Sequence, residues 1–202
     1  MITIHHARRS RSARVIWLLE ELGVPYQLHT LEFTQAALQS AEHKRFHPLG
    51  LVPVIQDGEL TMIESGAILQ YLLERYGQGR LAPASTSSNW PEYLQWFHFG
   101  EATLANYVSD IVRNRFGFPE NERSEEVVTY ARRRLRQSLE LVDHTLAGRD
   151  YILGAEFTAA DIMLSYGMVM ARITKELPAE FANVASYLER LKQRPAYAKA
   201  WA

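Results

Sequence analysis

The feature that most constrains the fold is a change of character just past Tyr76. Before it, short apolar runs switch between strand and helix periodicity. After the stretch GQGRLAPASTSSN, every periodic run is helical. A Gly-, Ser- and Pro-rich stretch of this kind suits an interdomain linker. The sequence therefore divides into a mixed α/β domain over residues 1–78 and an all-α domain over residues 85–202. With 202 residues, 47% of them hydrophobic, the chain can build one large domain or two small ones. It contains no internal repeat and no low-complexity block.

In the first half, Ile2 and Ile4 mark one face of a strand ending near His6. SARVIWLLEELG follows, with Val15, Leu18, Leu19 and Leu22 at helical spacing and Gly23 as the stop. A second strand is expected in YQLHTLEF and a helix over residues 34–46, with His47-Pro48-Leu49-Gly50 as a loop. Strands over 52–56 and 60–62 flank an Asp57-Gly58 turn, a strong hairpin signal. A helix then runs from Ser65 to Tyr76, with Ile68, Leu69, Leu72 and Leu73 inward. The order β-α-β-α-β-β-α implies a sheet that is parallel in part, with an antiparallel edge from the hairpin.

In the second half, WPEYLQWFHFGEATLANYVSDIV reads as one long helix and RSEEVVTYARRRLRQSLELVDHTLAG as another. FTAADIMLSYGMVMARI is apolar nearly all round, so it is expected at the centre. FANVASYLERLKQRP forms the last helix, ended by Pro195.

Composition removes several function classes. There is no cysteine, so any sulfur chemistry must use a ligand's sulfur. A net charge of -1 offers no basic excess for nucleic acid. No run approaches the roughly 18 apolar residues of a membrane span. The opening MITIHHARRSRSARV lacks a signal-peptide apolar stretch, so a cytoplasmic protein is expected. His5 and His6 are neighbours in a strand and point to opposite faces. His43 and His47 have helical spacing, but no carboxylate completes a metal site.

Three places carry candidate chemistry. Pro53 falls within the expected strand, where a proline is tolerated at an edge or as a cis bond. Val52 before it presents backbone groups that either end an edge strand or pair with a peptide-like ligand. Glu64-Ser65 opens a helix: Ser65 either caps it or gives its hydroxyl to a ligand carboxylate, and Glu64 can accept from an ammonium. The run Arg8-Arg9-Ser10-Arg11-Ser12-Ala13-Arg14 leads into the first helix, where arginines oppose the macrodipole by about 0.3–1 kcal/mol each. Either they point to solvent or an anion, such as a thiolate or carboxylate, belongs there.

SRSARVIWLLEELGVPY, HPLGLVPVI, ESGAILQYL and ILGAEFTAADI, in that order and spacing, resemble the cytosolic glutathione transferases of bacterial and fungal kind with a Ser-Arg-Ser first loop. The resemblance covers essentially the whole chain. It implies a thioredoxin-like N-terminal domain, an all-helical C-terminal domain, a homodimer, and glutathione as co-substrate without a metal. It implies that Pro53 is cis, that Val52 pairs with the cysteinyl unit, and that Glu64 and Ser65 hold the γ-glutamyl end. Ser10 is the implied donor to the thiolate, with Ser12 second. Some relatives carry that serine where this chain has Arg9, so Arg9 and Arg11 are further candidates. Relatives often have Lys or Gln at the position of Leu51, and Lys44 or a first-loop arginine could replace that contact. His47 stands where Asn is frequent, as a loop cap or near the glycyl end. Thr158 and Asp161 form a capping box that supports folding. The electrophile is expected between the domains, near Tyr107, Val108, Ile111 and Phe116, and Glu101 is a candidate to reach a neighbour's glutathione across the dimer.

The activity implied is conjugation of glutathione to hydrophobic electrophiles, as in detoxification. A glutathione-dependent peroxidase or disulfide reductase, and a non-catalytic binding protein of the same fold, are the alternatives. Leu51 favours the last; Val52-Pro53 and Glu64-Ser65 oppose it.

Overall fold

In the computed structural model, which describes residues 1–202, Ile2 and Ile4 sit on β1 (Ile2–His6), an inner strand of a four-stranded sheet ordered β2-β1-β3-β4. β1 pairs in parallel with β2 (Tyr26–Thr30) and antiparallel with β3 (Val54–Asp57). β3 pairs antiparallel with β4 (Leu60–Ile63). Ile4, Val54 and Ile55 are fully buried, as inner strands covered on both faces require. Asp57 opposes Leu60, so the hairpin turn is Gly58-Glu59, one residue later than expected. Gly58 takes φ 61°, a conformation that suits the glycine opening a two-residue hairpin loop.

Four helices precede the linker. α1 (Ser12–Leu22) buries Val15, Leu18, Leu19 and Leu22 as its periodicity dictates. Gly23 ends it at φ 68°, and Val24 N–H reaches back to the Leu19 carbonyl at 3.0 Å, a left-handed C-terminal stop. The single helix expected over 34–46 is instead two one-turn helices, α2 (Gln35–Leu38) and α3 (Ala41–Lys44). Ser40 breaks it, because its hydroxyl accepts from His43 N–H and restarts the helix as an N-cap. α4 (Ser65–Tyr76) has the expected bounds. The strand expected from Val52 begins only at Val54, so Pro53 lies outside the ladder rather than in it.

This sheet unit comprises Met1–Leu81 together with Lys192–Ala202. Pro195 does not simply end the last expected helix, which stops at Lys192; it opens a further one, α10 (Pro195–Ala200), from its first turn. α10 packs on α1: the Trp17 and Tyr197 rings meet edge-on at 5.1 Å. Arg194 grips Glu21 through two nitrogens at 2.6 and 2.7 Å.

The second unit, Ala82–Leu191, is helical. α5 (Trp90–Phe99) and α6 (Asn106–Val112) occupy the expected long helix, separated by a π-helical turn, Gly100–Ala105. A second π turn, Arg113–Gly117, follows α6. α7 (Glu125–Thr145), α8 (Ala159–Ile173) and α9 (Ala182–Lys192) complete it. α8 is buried along Ala159 to Ala171, as its all-round apolarity predicts. Two glycines allow the close approach: a Cβ on Gly100 would lie 2.6 Å from the Met163 carbonyl carbon, and one on Gly167 would lie 2.8 Å from Leu104 Cγ. No helix is long and apolar enough to cross a membrane.

Candidate active site

The sheet delivers two helix N-termini whose residues are joined by side chains. β1 ends at His6, and the chain turns through Ala7, Arg8 and Arg9 into α1. Arg9 has φ 61°, in the left-handed region, and both Arg8 and Arg9 are exposed. Ser10 and Ser12 are not exposed: they retain 3% and 0% of their accessible surface. Ser12 lies inside the first turn and is not the cap. Ser10 satisfies only part of the helix mouth, its hydroxyl accepting from Ser12 N–H at 3.2 Å and its carbonyl from Ala13 N–H at 3.2 Å.

Behind these bonds runs a short side-chain chain. Ser10 Oγ lies 2.6 Å from Ser12 Oγ, and Ser12 Oγ lies 2.7 Å from His6 Nδ1. The Ser12 hydroxyl also lies 3.3 Å from the Ala7 carbonyl. Burial, and then the nearby Arg8 charge, lower the His6 pKa below its ordinary value. A neutral imidazole can accept at Nδ1 from the Ser12 hydroxyl.

Arg14 overturns the solvent alternative for its part of the charge run. It is 1% exposed, and its Nη1 donates to Ser65 Oγ at 3.0 Å. That bond ties the first turn of α1 to the first residue of α4. Ser65 is itself buried and occupies the first helical position, with Glu64 in the cap position at φ 71°. The Glu64 side chain makes no cap bond. Ser65 Oγ accepts from Arg14 and keeps its own proton to donate.

The loop before β3 completes the group. Val52-Pro53 is cis. Val52 lies outside the ladder, whose first pair is His5 with Val54. The Leu51 carbonyl meets His43 Nε2 at 2.8 Å, which fixes this loop to α3, while the Leu51 side chain is 50% exposed. Lys44 beside His43 is exposed. His47 is buried and its Nδ1 accepts from Leu49 N–H at 3.3 Å, the behaviour of a loop cap. Burial and the neighbouring His43 lower its pKa, against the opposing pull of Glu64. No cluster of three or more His, Cys, Asp or Glu side chains could hold a metal ion.

In the helical unit, Val108 and Ile111 are 2% and 0% exposed and belong to its core. Tyr107 is half-buried, with its hydroxyl accepting from Arg134 Nε at 3.2 Å; Phe116 is 65% exposed. Glu101 lies in the first π turn. Asp161 forms the expected capping box with Thr158. Its carboxylate accepts from Thr158 N–H, Thr158 Oγ, Ile152 N–H and Tyr187 Oη at 2.7, 3.1, 2.9 and 2.6 Å. Burial pushes this carboxyl up from its ordinary range, opposed by those donors.

Sequence reasoning missed His6 and the individual role of Arg14. A signal for Arg14 existed: it is four residues before Leu18 and eight before Leu22, on the apolar stripe of α1. His6 had none beyond its position at the end of an inner strand.

The whole chain matches proteins of one kind. The glutathione S-transferase N-terminal domain profile matches residues 1–74 and its C-terminal domain profile residues 95–195. Glutathione S-transferase 3 of Schizosaccharomyces pombe is 30% identical over 97% of this chain and 85% of its own length. Glutathione S-transferase GstB of Escherichia coli is 28% identical over 98% of this chain and 97% of its own. A glutathione S-transferase from Actinobacillus pleuropneumoniae superposes with a TM-score of 0.82 at 30% identity, covering 99% of this chain and 91% of that one. A glutathione transferase family member from Pseudomonas fluorescens, solved with two glutathione bound, has a TM-score of 0.85 at 25% identity, covering 99% and 92%. The chain belongs to the glutathione S-transferase family. Its activity is that of the family, glutathione transfer, whose general reaction joins the glutathione thiol to electrophiles.

Proposed function

We propose that the two helix mouths and the cis-proline loop form one glutathione site, from which the thiolate attacks a hydrophobic electrophile. The observation that carries this reading is the buried Arg14–Ser65 bond, which fixes the hydroxyl at the mouth of α4. Ser65 and the first N–H groups of α4 receive the γ-glutamyl carboxylate, and Glu64 receives its ammonium. Val52 pairs through its backbone with the cysteinyl unit. Ser10 donates to the thiolate, with Arg9 and Arg11 adding positive potential. Leu51 offers the glycyl carboxylate nothing, so exposed Lys44 takes that part. Tyr107 and Phe116, which present surface, are the candidates to meet the electrophile.

The demand on the site is modest. A free thiol ionises near pKa 8.5, and lowering that by about two units needs roughly 2.7 kcal/mol of preferential thiolate stabilisation. One charge-assisted hydrogen bond together with nearby cations supplies energy of that order. The same reading includes the Ser-Arg-Ser first-loop type, a homodimer and a cytoplasmic location, each drawn from the family resemblance.

Calorimetric titration with glutathione tests the site. Binding by the wild type that weakens at least tenfold in Ser65→Ala is expected. Absence of wild-type binding at millimolar glutathione overturns it. Turnover of aryl halides against turnover of peroxides then separates conjugation from peroxide reduction, and sedimentation reports the dimer.

A further inference from the structure

The geometry points to His6 as the proton acceptor for the glutathione thiol, reached through Ser12 and Ser10. The inference rests on the proposed glutathione site and deepens it. Its basis is the unbroken line Ser10 Oγ, Ser12 Oγ, His6 Nδ1, with links of 2.6 and 2.7 Å among side chains 3%, 0% and 6% exposed. A helix mouth needs only one of these hydroxyls. Ser10 already serves α1 by accepting from Ser12 N–H. Ser12 and His6 add nothing to that cap, yet both are buried in line behind it.

Proton counting gives the line a direction. Each hydroxyl has one proton and two lone pairs. With His6 in its Nε2–H tautomer, the one Ser12 proton goes to Nδ1 at 2.7 Å in preference to the more distant Ala7 carbonyl at 3.3 Å, and Ser10 donates to Ser12. One lone pair of Ser10 takes Ser12 N–H, and the other is left for an incoming S–H. Ionisation then moves three protons one place each. The thiol proton passes to Ser10 Oγ, the Ser10 proton to Ser12 Oγ, and the Ser12 proton to His6 Nδ1. The S–H bond breaks, an N–H bond forms, sulfur becomes negative and the imidazole positive, and no proton leaves the site. Every hydrogen bond in the line is reversed, and Ser10 now donates to the thiolate it has created.

The surroundings fit an acceptor. His6 is held neutral by burial and by Arg8, the charged group that acts on it. Across the sheet its register partner on β2 is Thr30, and from α1 it meets Ser12; neither is charged. The unfavourable imidazolium forms only together with a thiolate two hydroxyls away, which compensates it. Below the His6 pKa the ring carries its proton already and the line cannot accept another.

The test follows the ultraviolet absorbance of the thiolate in the glutathione complex against pH, with affinity measured separately by calorimetry. His6→Asn keeps a polar group that can accept from Ser12 but cannot take up a proton. It is expected to bind glutathione normally and to raise the apparent thiol pKa by about one unit, a tenfold loss of thiolate at the lower pH values. Ser12→Ala should shift it equally, Ser12→Thr should restore it, and Ser12→Ala combined with His6→Asn should be no worse than either alone. Ser12→Ala also carries the test if His6→Asn does not fold. Normal binding with an unshifted thiol pKa in the folded variants overturns the relay and leaves the glutathione site standing. Absence of glutathione binding by the wild type overturns the site and the relay with it.

Discussion

The N-terminus of α8 and those of α1 and α4 solve one problem in opposite ways. Each helix begins with backbone N–H groups that lack intrahelical partners. At α8, Asp161 and Thr158 close the end on itself, and Ile152 and Tyr187 use the remaining lone pairs of the carboxylate. At α4, the cap-position residue Glu64 makes no side-chain bond to the helix, and Ser65 is turned toward Arg14. At α1, Arg11 in the cap position does not cap, and Ser10 is drawn into a line of hydroxyls. The closed end belongs to α8, the buried centre of the helical unit. The open ends belong to the unit that carries the proposed glutathione site, so a helix mouth left without its own carboxylate is where a ligand's carboxylate or thiolate fits.

The comparison breaks most easily at the closed end. Asp161→Ala strips four donors of their buried acceptor and removes a cap. It is expected to cost about 3–5 kcal/mol of stability, read from the urea midpoint. Asp161→Asn, which keeps one carbonyl acceptor, should cost less. A loss below about 1 kcal/mol for the alanine variant would mean the box is ornamental and the contrast with α4 empty.

At the open ends the largest effect should fall on binding instead. Arg14→Met keeps volume and burial but removes the guanidinium that holds Ser65. Stability should change little, because replacing a buried charge by a packed apolar chain is often near neutral. Glutathione affinity should fall about tenfold, or 1.4 kcal/mol, by calorimetry. The opposite pattern, lost stability with unchanged affinity, would make Arg14 a structural residue like Asp161.

How much of this was legible in the sequence follows the same division. The capping box at Thr158-Asp161 is local: its partners are three residues apart, so spacing alone reveals it. α1 with its Gly23 stop and the bounds of α4 are local too, whereas the strand order joins β1 to β3 from far along the chain. The Arg14–Ser65 bond spans 51 positions, and a string of residues places Arg14 in a charge run without showing that the apolar stripe takes it inward. Motif order points to Ser10, Val52, Glu64 and Ser65, while nothing in the string points to His6, because only folding lays the end of β1 against the first turn of α1. The missed α10 has a simpler cause. Pro195 both forbids continuation of one helix and favours the start of another, and its neighbours decide which.

Leu51 offers a way to sharpen the comparison by gain rather than loss. Its carbonyl is tied to His43, but its side chain is half exposed and apolar beside the proposed ligand loop. Leu51→Lys should tighten glutathione binding by up to about fivefold, near 1 kcal/mol, as one partly exposed ion pair allows. The gain should vanish for a glutathione ester blocked at the glycyl carboxylate. A gain that persists with the ester would place the new cation elsewhere on the ligand.

The smallest expected effect per side chain is on pH dependence, and it separates the two kinds of helix end by sign. Burial lowers the pKa of His5, His6 and His47 in the sheet unit, with neighbouring histidines or Arg8 adding to it. A group with a depressed folded pKa binds fewer protons folded than unfolded. Its stabilisation is full above the unfolded value near 6.5 and is lost as pH falls toward the folded value. Between pH 7 and pH 6 each histidine can therefore remove at most about 0.7 kcal/mol. Asp161 works in the opposite direction. Burial raises its folded pKa, so its proton is held more tightly folded than unfolded, and acid favours the state that holds it. The urea midpoint should decline from pH 7 to pH 6, with imidazole C–H resonances of the three histidines titrating below 6.5 in the folded protein. Replacing His5, His6 and His47 together should flatten that decline. A midpoint that is flat in the wild type, or a decline that survives the triple replacement, would put the acid sensitivity outside the open ends.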